Sequence, residues 1–160
     1  MLILNSGGTF NKRYNKIKGS LDVPYDNKAV EKILESVNGG VSVAGVVYKD
    51  SLEMDFEDRK MIAKIIMESD DDCFIIVHGT DTMHLTAEFL AEIFEDRKIV
   101  LTGAMIPYEI DNTEASFNLG MSIGFVNSCS SYGVYICMSG FVAPWDTMQK
   151  NRNIGKFEIV

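Results

Sequence analysis

A few hydroxyl-bearing residues, one carboxylate and one lysine stand where they could do chemistry together. Thr80 and Asp81 follow the run Cys73-Phe74-Ile75-Ile76-Val77-His78-Gly79. Thr9 follows Ser6-Gly7-Gly8, and Ser51 lies in the short polar stretch Lys49 to Met54. A threonine hydroxyl is a weak nucleophile and needs a neighbouring proton acceptor. Tyr14 is close in sequence to Thr9, and Lys150 could serve Thr80 if its proton were lost or shared with Asp81. The Asp81 carboxylate could also hold a substrate ammonium group. The Ser51 and Thr80 hydroxyls, with backbone N–H groups, could hold a carboxylate. These parts suit hydrolysis of an amide carried on an amino acid.

Other chemistries lack their residues. His78 and His84 are six apart and cannot share a helix face, so no zinc motif is present and no metal site is expected. No G-x-G-x-x-G, P-loop or G-x-S-x-G pattern occurs, and Ser6-Gly7-Gly8-Thr9 is too short to cradle a phosphate. No cofactor is expected. Taken singly, Thr80 and Asp81 read as helix caps, Thr9 as a turn residue, and Tyr14 and Lys150 as surface side chains.

The elements that must position these residues alternate. Leu2-Ile3-Leu4 reads as a buried strand and Val41 to Tyr48 as a second. Phe74 to Val77, Lys98 to Leu101 and Tyr132 to Met138 read as three more. Helical apolar spacing follows most of them. Val30, Ile33, Leu34 and Val37 lie after Pro24 and Asp26, and Asn38-Gly39-Gly40 ends that helix. Ile62, Ile65 and Ile66 follow an Asp55 cap; Met83, Ala87, Leu90, Ala91 and Phe94 follow Thr82. A helix from Thr113 to about Asn127 carries Ala115, Gly120 and Gly124, which are expected to pack close to the sheet.

Residues 10 to 24 are polar, basic and nearly aperiodic, and are expected to form a long lid loop. The alternation implies an α/β fold, a largely parallel sheet with helices on both faces in a flavodoxin- or Rossmann-like three-layer sandwich. The loops bearing Thr9, Ser51, Thr80-Asp81 and Ala104 would then gather along one sheet edge, where open α/β sheets bind ligands.

The 160 residues suffice for one domain spanning 1–160 with a real core. A hydrophobic fraction of 46%, a charged fraction of 24% and a net charge of −8 describe an ordinary globular chain with no nucleic-acid or membrane partner expected. Cys73, Cys129 and Cys137 are odd in number; Cys73 and Cys137 read as buried free thiols, which suits a cytoplasmic setting. Met1-Leu2-Ile3-Leu4 lacks the basic start of a signal peptide.

Several segments together resemble the bacterial L-asparaginase family. They are Gly7-Gly8-Thr9, His78-Gly79-Thr80-Asp81-Thr82-Met83 with Thr86-Ala87, and Thr102-Gly103-Ala104-Met105-x-Pro107. Ser51-x-Glu53-Met54 and Phe117-Asn118-Leu119 are similar too. The resemblance implies hydrolysis of L-asparagine to aspartate and ammonia through an acyl-enzyme. It makes Thr9 the nucleophile and Thr80, Asp81 and Lys150 a second triad. Tyr14 would match the lid tyrosine, with Tyr25 as its rival.

Ser51 and Asp81 would grip the carboxylate and amino groups of the substrate, with the backbone at Gly79 and Ala104 completing the substrate contacts. A homo-oligomer, dimer or tetramer, is also implied. Leu52 stands where many members carry a glutamine. The resemblance covers only the catalytic N-terminal domain of long members, as in a short single-domain form, so another catalytic domain must complete the pocket or the pocket is more open. Glutamine hydrolysis and a non-catalytic amino-acid-binding module are the alternative readings.

Overall fold

Side chains along the central strands alternate between two apolar cores, and that alternation sets the architecture. A computed structural model describes all of residues 1–160. In chain order the elements are β1 (Leu2–Gly7), β2 (Arg13–Asn15), β3 (Ser20–Asp22), α1 (Lys28–Leu34), β4 (Ser42–Lys49), α2 (Phe56–Glu68), β5 (Cys73–Val77), α3 (Met83–Ala91), β6 (Lys98–Thr102) and α4 (Asn112–Ser128). β7 (Gly133–Met138), β8 (Phe141–Pro144), β9 (Met148–Asn151) and β10 (Lys156–Ile159) complete the chain.

The main sheet has the order β4-β1-β5-β6-β7-β8. Its first five strands are parallel and β8 is antiparallel to β7. Ranked by sequence, the parallel strands run 2-1-3-4-5, the flavodoxin-like order. Leu4, Ile76 and Leu101 join Ile62 and Ile66 of α2 and Met83, Ala87 and Leu90 of α3 on one face. Ile3, Ile75, Val77 and Val100 join Val30 of α1 and Ala115, Leu119, Ile123 and Val126 of α4 on the other. The three-layer α/β sandwich expected from the alternation is therefore present.

The α2 helix starts on a reciprocal cap. The Asp55 side chain accepts from the Asp58 N–H, and Asp58 accepts from the Asp55 N–H. Such a cap contributes about 1 kcal/mol. Asp58 also accepts from Lys49 Nζ at 2.8 and 2.7 Å. The end of β4 is thus tied to the start of α2, and the Ser51 loop is held between them.

Four expectations change. Residues 10–24 are not one aperiodic loop: a 3-10 turn at Thr9–Asn11 leads into an antiparallel β2–β3 hairpin, with Tyr14 opposite Leu21. Hydrogen bonds of a two-stranded hairpin need little apolar periodicity, so the pattern gave no sign of it. The first helix is shorter than its apolar spacing suggested and ends at Leu34, although Val37 still packs against the core. Gly120 and Gly124 do not approach the sheet; both face solvent with nothing near a would-be β-carbon, and Ala115, Asn118, Leu119 and Ser122 face inward instead. Of the cysteines, all are free thiols, Cys137 is buried and Cys73 is only partly so. No helix is long and apolar enough to cross a membrane.

Candidate active site

The strand order reverses at β1, flanked by β4 and β5, which makes it the topological switch point; open α/β sheets bind ligands there, in the crevice at the carboxyl ends of the strands. Asn5 of β1 pairs with Val77 of β5, so the two strands leave the sheet side by side. Gly7 and Gly8 carry φ of 103° and 73°, left-handed values that glycine tolerates. A β-carbon on Gly8 would stand 2.4 Å from the Gly79 nitrogen. Thr9 and Thr80 each lie one residue beyond this backbone contact.

The 3-10 turn bearing Thr9 is fastened from beneath by buried amides. Asn5 Nδ2 donates to Asn11 Oδ1 at 3.0 Å, and Asn11 Nδ2 donates back to Asn5 Oδ1 at 2.7 Å. Asn11 Nδ2 also donates to the Gly7 carbonyl at 2.8 Å, and Asn5 Nδ2 to Asn27 Oδ1 at 3.0 Å. Two polar residues, Asn5 and Ser6, follow the apolar start of β1 and mark the spot in the sequence, but spacing does not say which side chains they pair with.

Ser51 is buried against the second turn. Its Oγ accepts from the Asp81 N–H at 3.3 Å, and its carbonyl accepts from Thr82 Oγ1 at 2.8 Å. A β-carbon on Gly79 would meet Ser51 Oγ at 2.6 Å, so only glycine lets the serine sit there. On the other flank, a β-carbon on Gly103 would meet the His78 carbonyl at 2.4 Å and Thr80 Cγ2 at 3.5 Å. Ala104, the next residue, is buried in the core on the α4 side of the sheet. Its loop is held by Asn118 Nδ2 donating to the Gly103 carbonyl at 2.9 Å and by the Met105 N–H donating to Glu114 at 2.9 Å.

His78 sets the turn without entering the crevice. It is fully buried, and burial pushes its pKa down to about 4, partly offset by its contact with the Gly79 carbonyl, so the ring is neutral near pH 7. Arg59 Nε, a donor only, bonds Thr86 Oγ1 at 3.1 Å. The Thr86 hydroxyl then donates to His78 Nε2 at 2.8 Å, and Nδ1–H donates to the Gly79 carbonyl at 2.7 Å. The chain of donors orients the Gly79–Thr80 peptide.

The tail delivers the cation. β9 pairs with β10, and Met148 and Phe157 bury themselves in the core beside α3. Lys150 shares a face of β9 with Met148, because strand side chains alternate. Its Nζ donates to Thr80 Oγ1 at 2.8 Å and to Asp81 Oδ1 at 2.9 Å. Arg152, two residues on, also reaches Asp81 Oδ1 at 3.3 Å. Nothing in the sequence pattern marks Arg152 as a site residue.

Tyr14 is exposed on the hairpin, whose Tyr14 N–H donates to Glu109 at 3.0 Å. Tyr14 and Tyr25 both line a cleft of about 750 Å³ that also borders Lys49, Asp50 and Glu53 next to Ser51. Tyr25 leans edge-on against Tyr48 with ring centroids 5.8 Å apart. The geometry brings Ser51, Gly79, Thr80, Asp81 and Lys150 into direct contact, sets Thr9 and Ala104 one residue beyond the Gly8–Gly79 and Gly103–His78 backbone approaches, and leaves Tyr14 out on the surface hairpin. No group of three or more His, Cys, Asp or Glu side chains is placed to hold a metal ion.

Comparison with known families matches residues 1–155 to the model described as asparaginase, N-terminal. The chain belongs to the asparaginase family. Among curated relatives of this asparaginase-family chain, an L-asparaginase from Thermococcus kodakarensis is 26% identical over 161 residues, covering 97% of this chain and 48% of the relative. A glutamyl-tRNA(Gln) amidotransferase component from Methanococcus vannielii is 27% identical over 144 residues, 86% of this chain and 34% of the relative. A glutaminase-asparaginase from Acinetobacter glutaminasificans is 26% identical over 141 residues, 82% and 42% respectively.

The fold agrees with solved asparaginases. The thermostable L-asparaginase of Thermococcus kodakarensis superposes with a TM-score of 0.86 at 23% identity, over 99% of this chain and 50% of that one. A probable cytoplasmic L-asparaginase from Campylobacter jejuni gives 0.77 at 25% identity, over 99% and 52%. This asparaginase-family chain spans half or less of the length of the curated relatives named.

Proposed function

We propose that residues 1–160 act as one catalytic domain, an amidohydrolase that converts L-asparagine to L-aspartate and ammonia. One observation carries this reading. Lys150 Nζ bonds both Thr80 Oγ1 and Asp81 Oδ1, from a hairpin some seventy residues away in the chain. A buried threonine hydroxyl, a carboxylate and a lysine in mutual contact at a strand end form a device for moving protons at a hydroxyl or water.

In the proposed reaction Thr9 Oγ attacks the side-chain carboxamide carbon. The amide nitrogen takes a proton and leaves as ammonia, and the acyl group stays as an ester on Thr9. Water, activated beside Thr80, Asp81 and Lys150, then hydrolyses that ester and restores the hydroxyl. Ser51 and the turn at Gly79 bind the substrate carboxylate, Asp81 binds its ammonium group, and the Ala104 backbone faces the leaving amide. Tyr14, or its rival Tyr25, closes the hairpin over Thr9. The reaction uses no metal or cofactor. We place the protein in the cytoplasm, consistent with three free thiols, and as a homo-oligomer.

Ammonia release from L-asparagine tests the reading. Release by the wild type, lost in Thr9→Val with L-aspartate still bound, supports it. Binding without release by the wild type would point to an amino-acid-binding module. Glutamine is measured alongside, because a pocket distinguishes one methylene by only about 1–3 kcal/mol.

A further inference from the structure

Asp81 Oδ1 faces two cations. Lys150 is held tightly, by bonds of 2.8 Å to Thr80 and 2.9 Å to Asp81, and its side chain is 15% exposed. Arg152 differs in every respect. It projects from the turn between β9 and β10, its side chain is 67% exposed, and its one ion pair is the 3.3 Å contact to Asp81. Arg152 lines an open cleft of about 370 Å³ together with Asp81, Lys150, His84, Trp145 and Asp146. The chemistry proposed above does not use it.

We infer that Arg152 is a specificity-determining residue: its guanidinium competes with a substrate ammonium group for the Asp81 carboxylate. The inference rests on the proposed role of Asp81 and goes beyond it. One carboxylate already shared by two cations is a poor seat for a third. An incoming ammonium group must displace the Arg152 guanidinium or share Asp81 with it against like-charge repulsion. Lys150 cannot yield without breaking its bond to Thr80. Arg152 can, because it is exposed and makes one contact, and Asp146 across the same cleft offers its charge another partner. Free α-amino acids therefore meet an electrostatic cost at this site that a substrate lacking the amine does not.

The test compares L-asparagine with succinamate, which has the same carboxylate and amide but no α-amino group. Arg152→Gln keeps the length and removes the charge; Arg152→Lys keeps the charge. The ratio of kcat/KM for L-asparagine to that for succinamate is expected to rise about fivefold in Arg152→Gln, the scale of a partly exposed ion pair, and to stay near the wild-type value in Arg152→Lys. An unchanged ratio in Arg152→Gln overturns the inference, as does an equal change for both substrates.

Calorimetric binding of L-aspartate and succinate to the same three proteins gives a readout without turnover. If the wild type hydrolyses neither amide, the proposed function fails, and a selective gain in L-aspartate affinity in Arg152→Gln still upholds the competition. If neither ligand binds any of the three proteins, or both gain equally, the competition is refuted.

Discussion

The Gly79 nitrogen lies where a β-carbon on Gly8 would come within 2.4 Å of it. Two turns that leave neighbouring strands are pressed together at their glycines, and each turn carries a threonine one residue on. Any side chain at residue 8 has to wedge them apart. Gly8 also has φ of 73° and ψ of −177°, a region essentially reserved for glycine, which costs an alanine about 1–3 kcal/mol before any clash. Gly8→Ala is expected to lower activity at least about 100-fold, the scale of a displacement near 1 Å between reacting groups. It should also lower the thermal midpoint. Parallel assays of ammonia release and heat unfolding check both effects.

Lys150→Met tests the reach of the tail. Methionine fills much of the same stem volume but removes the donor to Thr80 and Asp81. Turnover is expected to fall on the order of 10³-fold, the scale of a lost proton-transfer group. The thermal midpoint should shift little, because Met148 and Phe157 still anchor the hairpin in the core. Wild-type turnover in this variant would remove Lys150 from the chemistry.

Asn5→Leu tests the support under Thr9. The substitution leaves Asn11 without its reciprocal amide and the Gly7 N–H without the Asn5 oxygen it bonds at 3.2 Å. Each orphaned buried group costs about 1–3 kcal/mol. Urea unfolding is expected to show a loss of about 3 kcal/mol. Asn11→Leu, which strands the same partner, should show a similar loss, and the two together less than the sum.

His78 makes stability depend on pH in a definite window. The unfolded imidazole takes a proton near pH 6.5, while burial holds the folded one down to about pH 4. Between those values the unfolded chain binds more protons, so stability falls as pH drops through the window. The loss at pH 4 is on the order of 3 kcal/mol. Urea midpoints measured from pH 7 to pH 4 should fall in the wild type and fall less steeply in His78→Gln. Equal slopes would show that this imidazole is not the titrating group.

Local pattern alone carried much of the molecule into view. Strands such as Phe74–Val77, helix starts such as Asp55, and the turns at Gly8 and Gly79 follow from side-chain periodicity and backbone sterics within a few residues. Those forces act over the same short range that a sequence displays. The hairpin at 13–22 and the outward glycines of α4 escaped because their placement depends on what lies across from them. An aperiodic stretch can still pair with itself, and a small residue on a helix does not reveal which face meets the sheet.

The Asn5–Asn11 clasp and the approach of Arg152 to Asp81 belong to the folded chain only, whereas Lys150 is a candidate partner of Thr80 already in the sequence and the fold supplies the contact. Each joins positions whose separation along the backbone says nothing of their distance in space. Met148 and Phe157, by entering the core, decide where Lys150 points. Residue types thus specified which groups were available for chemistry, and core packing selected which of them touch.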